Sequence, residues 1–233
     1  MEGQQIWNRV YGEGFMTIWS PPEGTIQFTA RHLKKRLTAD RFQEFFPAKR
    51  VLDLGCGNGA AVSYFSKMGY EAFGIDLSAP AIEIGKEWFA REGLIGDLRV
   101  GSAAETLPYT DGYFDVVTCF GVLDHMMMDN AKRALAEVDR VLTKPGRFFL
   151  TLADTQSKKF GEGTCVGRNS YILEGDWYEA GAVQHYFDER DIRDLLGNRF
   201  RIIDLRRVVQ EKYNPEFQQL YWSSRWHIVT EKV

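Results

Sequence analysis

Cysteine is scarce in this chain, and what there is follows no pairing pattern. Among 233 residues only Cys56, Cys119 and Cys165 are cysteine, an odd number with no C-x-x-C. A disulfide framework and a thiolate zinc site are therefore not expected. Cys56, in a glycine turn, and Cys119, in an apolar run, read as small buried residues of a reducing compartment. A basic surplus is lacking too. Twenty-nine Lys and Arg against 32 Asp and Glu give a net charge of −3, with the signs mixed along the chain. Nucleic-acid binders usually carry a basic stripe, so that partner class is not expected. The longest apolar run, 114–123, is broken by Asp115 and Thr118 and is far too short for a bilayer span. No basic stretch followed by an apolar one opens the sequence, so no secretory leader is expected and the cytoplasm is the expected location. Repeats and low-complexity tracts are absent. With 44% hydrophobic residues, the chain suits one domain over 1–233 with a core that needs no staples.

What the chain does have is concentrated at residues 51–60. Val51-Leu-Asp-Leu-Gly-Cys-Gly-Asn-Gly-Ala60 reads as a buried strand, a tight glycine turn and a helix start. Gly55, Gly57 and Gly59 let the backbone turn through positive φ and approach a ligand closely. The spacing is G-x-G-x-G. The dinucleotide fingerprint wants a glycine where Ala60 stands, which argues against a nicotinamide oxidoreductase. A second strand, Ala72–Ile75, is followed by Asp76, 21 residues after Gly55. A carboxylate at that strand tip can accept from both ribose hydroxyls of a nucleoside. Loop and acid together describe an adenosine-type ligand with no need of a pyrophosphate.

These motifs, with Gly74-Ile-Asp-Leu-Ser and the stretch 104–117 (AETLPYTDGYFDVV), resemble the class I S-adenosylmethionine-dependent methyltransferases over about residues 48–152. The resemblance implies a Rossmann-like, doubly wound α/β fold: seven strands, mostly parallel, an antiparallel last strand, and helices on both faces. It implies S-adenosyl-L-methionine as cofactor and a methyl acceptor chosen by the flanking segments. Carried over residue by residue, Asp53, Gly55, Cys56 and Gly57 would face the methionine end. Asp76 would take the ribose, Leu77, Ser102 and Ala103 the adenine, and Phe120 the strip beneath the cofactor. Ser102 departs from the family, many members of which place an aspartate there. No Asn/Asp-Pro-Pro-Tyr/Phe follows the fourth strand and no Pro-Cys pair occurs. Base-amine and cytosine-carbon methylation are therefore not expected. A small-molecule acceptor leads. A protein acceptor and a non-catalytic, cofactor-binding regulatory role are the alternatives.

The pattern predicts strands at 50–54, 72–75, 97–100, 113–120 and 147–152. Helices are expected at 58–67, 78–91 and 130–142, the last stopped by Lys144-Pro-Gly146. Asp188 and Asp191 form a capping box for a helix ended by Gly197. Two long strands, 200–209 and 221–229, close the chain around a tip at 210–220. Residues 154–187 read as an insertion over the active site, with a hairpin around 171–183. Residues 1–40 read as a helical lid. Trp7, Tyr11, Phe15 and Trp19 recur every fourth residue as on one helix side, either packed on the core or covering the ligand. A basic helix is expected at 23–37, with His32 exposed and the run 31–36 a solvated face. Tyr171, Trp177, Tyr178 and Tyr186 add aromatic wall. For a hydroxyl acceptor a histidine base suits neutral pH. His185, ending the insertion, ranks first against a structural role, ahead of Asp124 and Tyr186; His125 is read as near the cofactor, with shaping its loop as the alternative role, and His227 sits in the last strand. No metal cluster is evident.

Overall fold

The structure, a computed structural model, describes residues 2–175, 178–214 and 219–233. Trp177 and the middle of the 210–220 tip lie outside the described residues. In chain order the first elements are α1 (Glu2–Gly12), α2 (Glu23–Phe28), β1 (Lys34–Arg36), β2 (Phe42–Glu44) and β3 (Arg50–Leu54). Then come α3 (Ala60–Lys67), β4 (Glu71–Asp76), α4 (Ala79–Glu92), β5 (Asp97–Val100), β6 (Phe114–Phe120), α5 (Met128–Val141) and β7 (Leu142–Ala153). The insertion holds β8 (Thr164–Gly167), β9 (Ser170–Ile172) and β10 (Val183–His185), and the chain ends with α6 (Glu189–Leu196), β11 (Phe200–Asn214) and β12 (Gln219–Lys232).

One seven-stranded sheet has the order β11-β12-β7-β6-β3-β4-β5. The five strands from β7 to β5 run parallel, while β12 is antiparallel to both β7 and β11. After β3 the chain builds outward through β4 and β5, then returns to β3's other side with β6. The strand order therefore reverses between β3 and β6, and a crevice opens beyond their carboxyl ends.

The core follows from strand alternation. Leu52, Leu54, Val117, Cys119, Phe148 and Leu150 point to the face covered by α5 and α6, against Leu135, Val138, Ile192 and Leu195. Their neighbours Val51, Val116 and Phe149 point to the other face, against Val62 and Phe65 of α3, Ile82 and Trp88 of α4, and Phe28. Neighbours on a strand face opposite sides, so a two-face apolar pattern requires both faces to be covered.

Several expected boundaries shift. The helix expected over 23–37 ends at Leu33 after a π-turn from Thr29. Lys34–Arg36 instead pairs antiparallel with Phe42–Glu44, and the Lys34 ammonium lies 4.2 Å from the Tyr70 ring centroid. The 31–36 run is thus split between two elements, and His32 is half-buried, bonded through Nε2 to Asp204 at 2.8 Å. The four-residue aromatic period outlives its helix: α1 stops at Gly12, leaving Phe15 and Trp19 more than half exposed. No loop separates α5 from β7, because Leu142 already pairs with Phe114. The insertion carries a three-stranded sheet, with Val183 opposite Ile172 in the hairpin. No helix among the described residues is long and apolar enough to cross a membrane.

The capping box at α6 forms, with the Asp191 N–H donating to Asp188 Oδ1 at 2.9 Å. Arg168 pairs with both carboxylates, so this cap also anchors the turn between β8 and β9. Asp188→Ala should destabilise the fold by about 1–2 kcal/mol. Urea denaturation checks this, and an unchanged midpoint would show that the cap is dispensable.

Candidate active site

Tight turns at the strand ends build the site. Gly55 N–H and Cys56 N–H both donate to the Ile75 carbonyl, at 2.8 and 3.1 Å, folding the turn after β3 over the end of β4. Gly55 has φ +77°, and a Cβ there would lie 2.2 Å from Val122 Cγ2. Gly57 has φ +55°, and its Cβ would lie 2.3 Å from the Tyr11 hydroxyl oxygen. Both positions need the missing side chain as well as the left-handed backbone.

Asp76 fixes the shape of this turn. Its Oδ2 accepts from the Gly57 N–H and its Oδ1 from the Ser78 N–H, each at 2.8 Å. Ser78 caps α4, accepting from the Ala81 N–H at 3.3 Å, and its hydroxyl donates to the Trp7 carbonyl at 3.3 Å. Gln4 Nε2 donates to the Leu77 carbonyl at 3.3 Å. The N-terminal helix is therefore tied across the mouth. Arg9 donates to the carbonyls of Tyr178 and Ala180, and Phe15 stacks on Tyr178 at 6.1 Å, so residues 2–15 meet the insertion.

Beneath this junction is a cavity of about 500 Å³. Its floor and sides hold Gly55, Asp76, Leu77, Ser102, Ala103 and Phe120, drawn from four separate stretches of chain. Asp53, Cys56 and Gly57 do not line it. Asp53 is buried below and accepts from Thr118 Oγ1 at 2.7 Å. Cys56 is buried with its sulfur against Gly74, and Gly57 is covered by Tyr11. His185 is not brought to the cavity either, which corrects its ranking as first base. Its ring is 2% exposed, Nδ1 bonds to Ser170 Oγ at 2.7 Å, and Nε2 lies 3.7 Å from Asp191. Burial, ahead of the opposing pull of Asp191, lowers its pKa. The histidine that lines the cavity is His125, in the short 3₁₀ turn after β6.

The wall also contains Gln4, Trp7 and Tyr11 of α1, together with Met16, Met126, Met127, Asn130, Glu179 and Val183. The aromatic spacing had marked Trp7 and Tyr11. Glu179 gave no signal, because an isolated acid in an irregular segment has no period or cap to reveal it.

The electrostatics are one-sided. Asp76, Glu105 and Glu179 line the cavity, and among the described residues no Lys or Arg does. Burial, reinforced by Asp76, raises Asp53 to about 6 despite the Thr118 hydrogen bond. Burial raises Asp76 as well, opposed by its two backbone donors. Tyr11 is raised by burial and then by the carboxylates of Asp76 and Asp53. Asp124 differs: burial alone would raise its pKa, but Arg225 at 2.6 Å holds it below the usual range.

Comparison with known proteins agrees with this geometry. Residues 52–150 match a family model described as a methyltransferase domain. The chain is 36% identical over 102 residues to the uncharacterized methyltransferase YcgJ of Bacillus subtilis, covering 43% of this chain and 39% of that one. It is 33% identical over 139 residues to a ubiquinone biosynthesis O-methyltransferase of Bordetella parapertussis, covering 58% and 56%. The chain thus spans about half the length, or less, of these curated relatives. Among solved structures, a Burkholderia thailandensis 1,6-didemethyltoxoflavin-N1-methyltransferase with bound 1,6-didemethyltoxoflavin and S-adenosylhomocysteine superposes with a TM-score of 0.66 at 18% identity, over 100% of this chain and 87% of that one. A structure from work on converting a disulfide bond into a thioacetal group during echinomycin biosynthesis superposes at 0.71 and 16% identity, over 99% and 92%. Over residues 52–150 the chain is thus similar to methyltransferase domains, and its fold is like that of solved methyltransferases.

Asp53 provides a test of the buried charge. Folded, its carboxyl keeps a proton to about pH 6; unfolded, it loses the proton near pH 4. Between these values the folded state binds more protons, so this group's contribution to stability falls as pH rises. Asp53→Asn should therefore gain stability relative to the parent at about pH 7 compared with about pH 4. Denaturant midpoints at the two pH values measure the difference, and an equal effect at both would contradict the assignment.

Proposed function

We propose that this protein transfers a methyl group from S-adenosyl-L-methionine to a small-molecule acceptor. The observation that carries the proposal is the junction of the glycine turn, Asp76 and the residues after β5 and β6 around one roofed cavity. The residues present fit the cofactor. Gly55 leaves bare backbone at the cavity wall, and Asp76 keeps lone pairs beyond the two taken by backbone N–H groups. Asp76 would hold the ribose hydroxyls. Leu77 and Ala103 would flank the adenine, with the Ser102 hydroxyl as a polar contact, and Gly55 and Phe120 would border the methionine portion. Asp53, Cys56 and Gly57 would act from behind, shaping the turn. When bound, the cofactor supplies an electrophilic methyl group on a sulfonium. The chain's task is then to align the nucleophile and keep water away.

The roof favours a small acceptor over a protein segment. Residues 1–40 and 154–187 act in this proposal as two parts of one lid, joined through Arg9 and Tyr178. A lid that opens for exchange and closes for transfer would leave room for a metabolite and exclude a folded surface. Acidic walls also suit a cationic cofactor.

Isothermal calorimetry with S-adenosylmethionine and S-adenosylhomocysteine tests the proposal. Both should bind the parent protein. Asp76→Ala should lose roughly 2–4 kcal/mol of that affinity, because charged acceptors to both hydroxyls are removed. Failure of the parent to bind either compound, or unchanged affinity in the variant, would overturn it.

A further inference from the structure

The cavity wall carries two polar groups to which the proposed cofactor contacts give no role, His125 and Glu179. His125 Nδ1 lies 3.2 Å from the carbonyl oxygen of Val183. A carbonyl oxygen can only accept, so the ring proton of the neutral imidazole sits on Nδ1 and Nε2 is left with a free lone pair. The edge of Trp7 fixes the ring plane from above, at 5.0 Å between centroids and 77° between planes. The turn that bears His125 is anchored from below. The buried Asp124 side chain accepts from Arg225 Nη2 at 2.6 Å, the Ala153 N–H at 3.2 Å and Gln184 Nε2 at 3.4 Å. The ring is thus held by the Val183 carbonyl, by Trp7 and by its anchored turn, and His125 lines the cavity.

Glu179 reaches the same wall from the insertion. It is half-buried, and Trp7, Met126, Met127 and Val183 give the same cavity an apolar part. Burial raises its carboxyl pKa and the nearby His125 opposes the rise.

We infer that His125 is the general base of the site, that Glu179 stabilises the imidazolium it becomes, and that the acceptor is an uncharged or cationic small molecule bearing an O–H or N–H nucleophile. This rests on the methyltransferase reading. In the transfer, the proton of the acceptor's O–H or N–H passes to His125 Nε2. The electron pair left on the oxygen or nitrogen forms the new bond to the methyl carbon. The electrons of the breaking sulfur–carbon bond return to sulfur, which becomes a neutral thioether. His125 ends as an imidazolium facing Glu179, and later gives its proton to solvent. Among the described residues the cavity wall presents Asp76, Glu105 and Glu179 and no Lys or Arg, which favours an uncharged or cationic acceptor over an anionic one.

Around His125 the charged and titratable groups are Glu179 and Lys159 from the insertion, Asp124 with its partner Arg225, and His185 beyond Asp124. Of these, Glu179 shares the cavity wall with His125.

The test is nitrogen-15 NMR of the histidine rings in the protein loaded with S-adenosylhomocysteine, with His125→Asn to assign the signals. Long-range proton–nitrogen couplings should show the Nδ1-protonated tautomer for His125. Tyramine should move the His125 signals at lower concentration than 4-hydroxyphenylacetate, which carries the same phenol on an anionic tail. Glu179→Gln should lower the affinity for tyramine, read from the same signals, severalfold. An Nε2-protonated ring, unchanged tyramine affinity in Glu179→Gln, or the reverse order of the two phenols would overturn the inference. S-adenosylhomocysteine affinity should stay within about threefold of the parent in both variants, since neither residue is assigned to the cofactor. Absence of such binding in the parent would instead count against the methyltransferase reading itself.

Discussion

The carboxylate of Asp76 holds the site together. One side chain at the tip of β4 takes the N–H of Gly57 on the loop after β3 and the N–H of Ser78 at the start of α4. The two strands are neighbours in the sheet, but their following turns would otherwise be independent. Asp76 joins them through two charge-assisted hydrogen bonds, which are stronger than neutral ones and hold their geometry in a buried setting. From Ser78 the connection runs on to the Trp7 carbonyl, and so to the helix that roofs the cavity. Floor, turn and roof are tied to one buried charge.

That charge is not isolated. Asp53 lies below, Tyr11 stands over Gly57, and the acids Glu105 and Glu179 share the cavity wall. Burial raises Asp53, Asp76 and Glu179, and Asp76 adds to the rise at Asp53, which destabilises the empty site. Such an arrangement is expected where the ligand supplies the missing positive charge, as a sulfonium and an amino group do. The contrast is Asp124, which is fully buried yet held ionised by Arg225. That pair supports the His125 turn, whereas the cavity acids remain open to a ligand.

Local chemistry made much of this legible in the sequence. Strand β3, the glycine turn, the acid at 76, the Ser78 cap and the 188–191 capping box each depend on a few adjacent residues. Each formed where its own residues indicated. Failures came where distant contacts decide. Nothing in residues 31–37 announces that Lys34–Arg36 will find Phe42–Glu44, so helical periodicity was followed past the true end at Leu33. The ranking of His185 over His125 failed for the same reason. Both lie near the strand ends in sequence terms, but Ser170 and Asp191 hold the His185 ring within the protein. The Val183 carbonyl holds His125 at the cavity wall. Which of two histidines meets the cavity is a tertiary fact.

The central claim is that ligand binding at Asp76 and closure of the N-terminal helix are one event. Amide hydrogen exchange with and without S-adenosylhomocysteine tests this most directly. The account predicts slower exchange on binding in three places together: the 55–59 turn, residues 4–12 of α1, and the insertion near 178–183. Protection of the turn with no change in α1 or the insertion would contradict it.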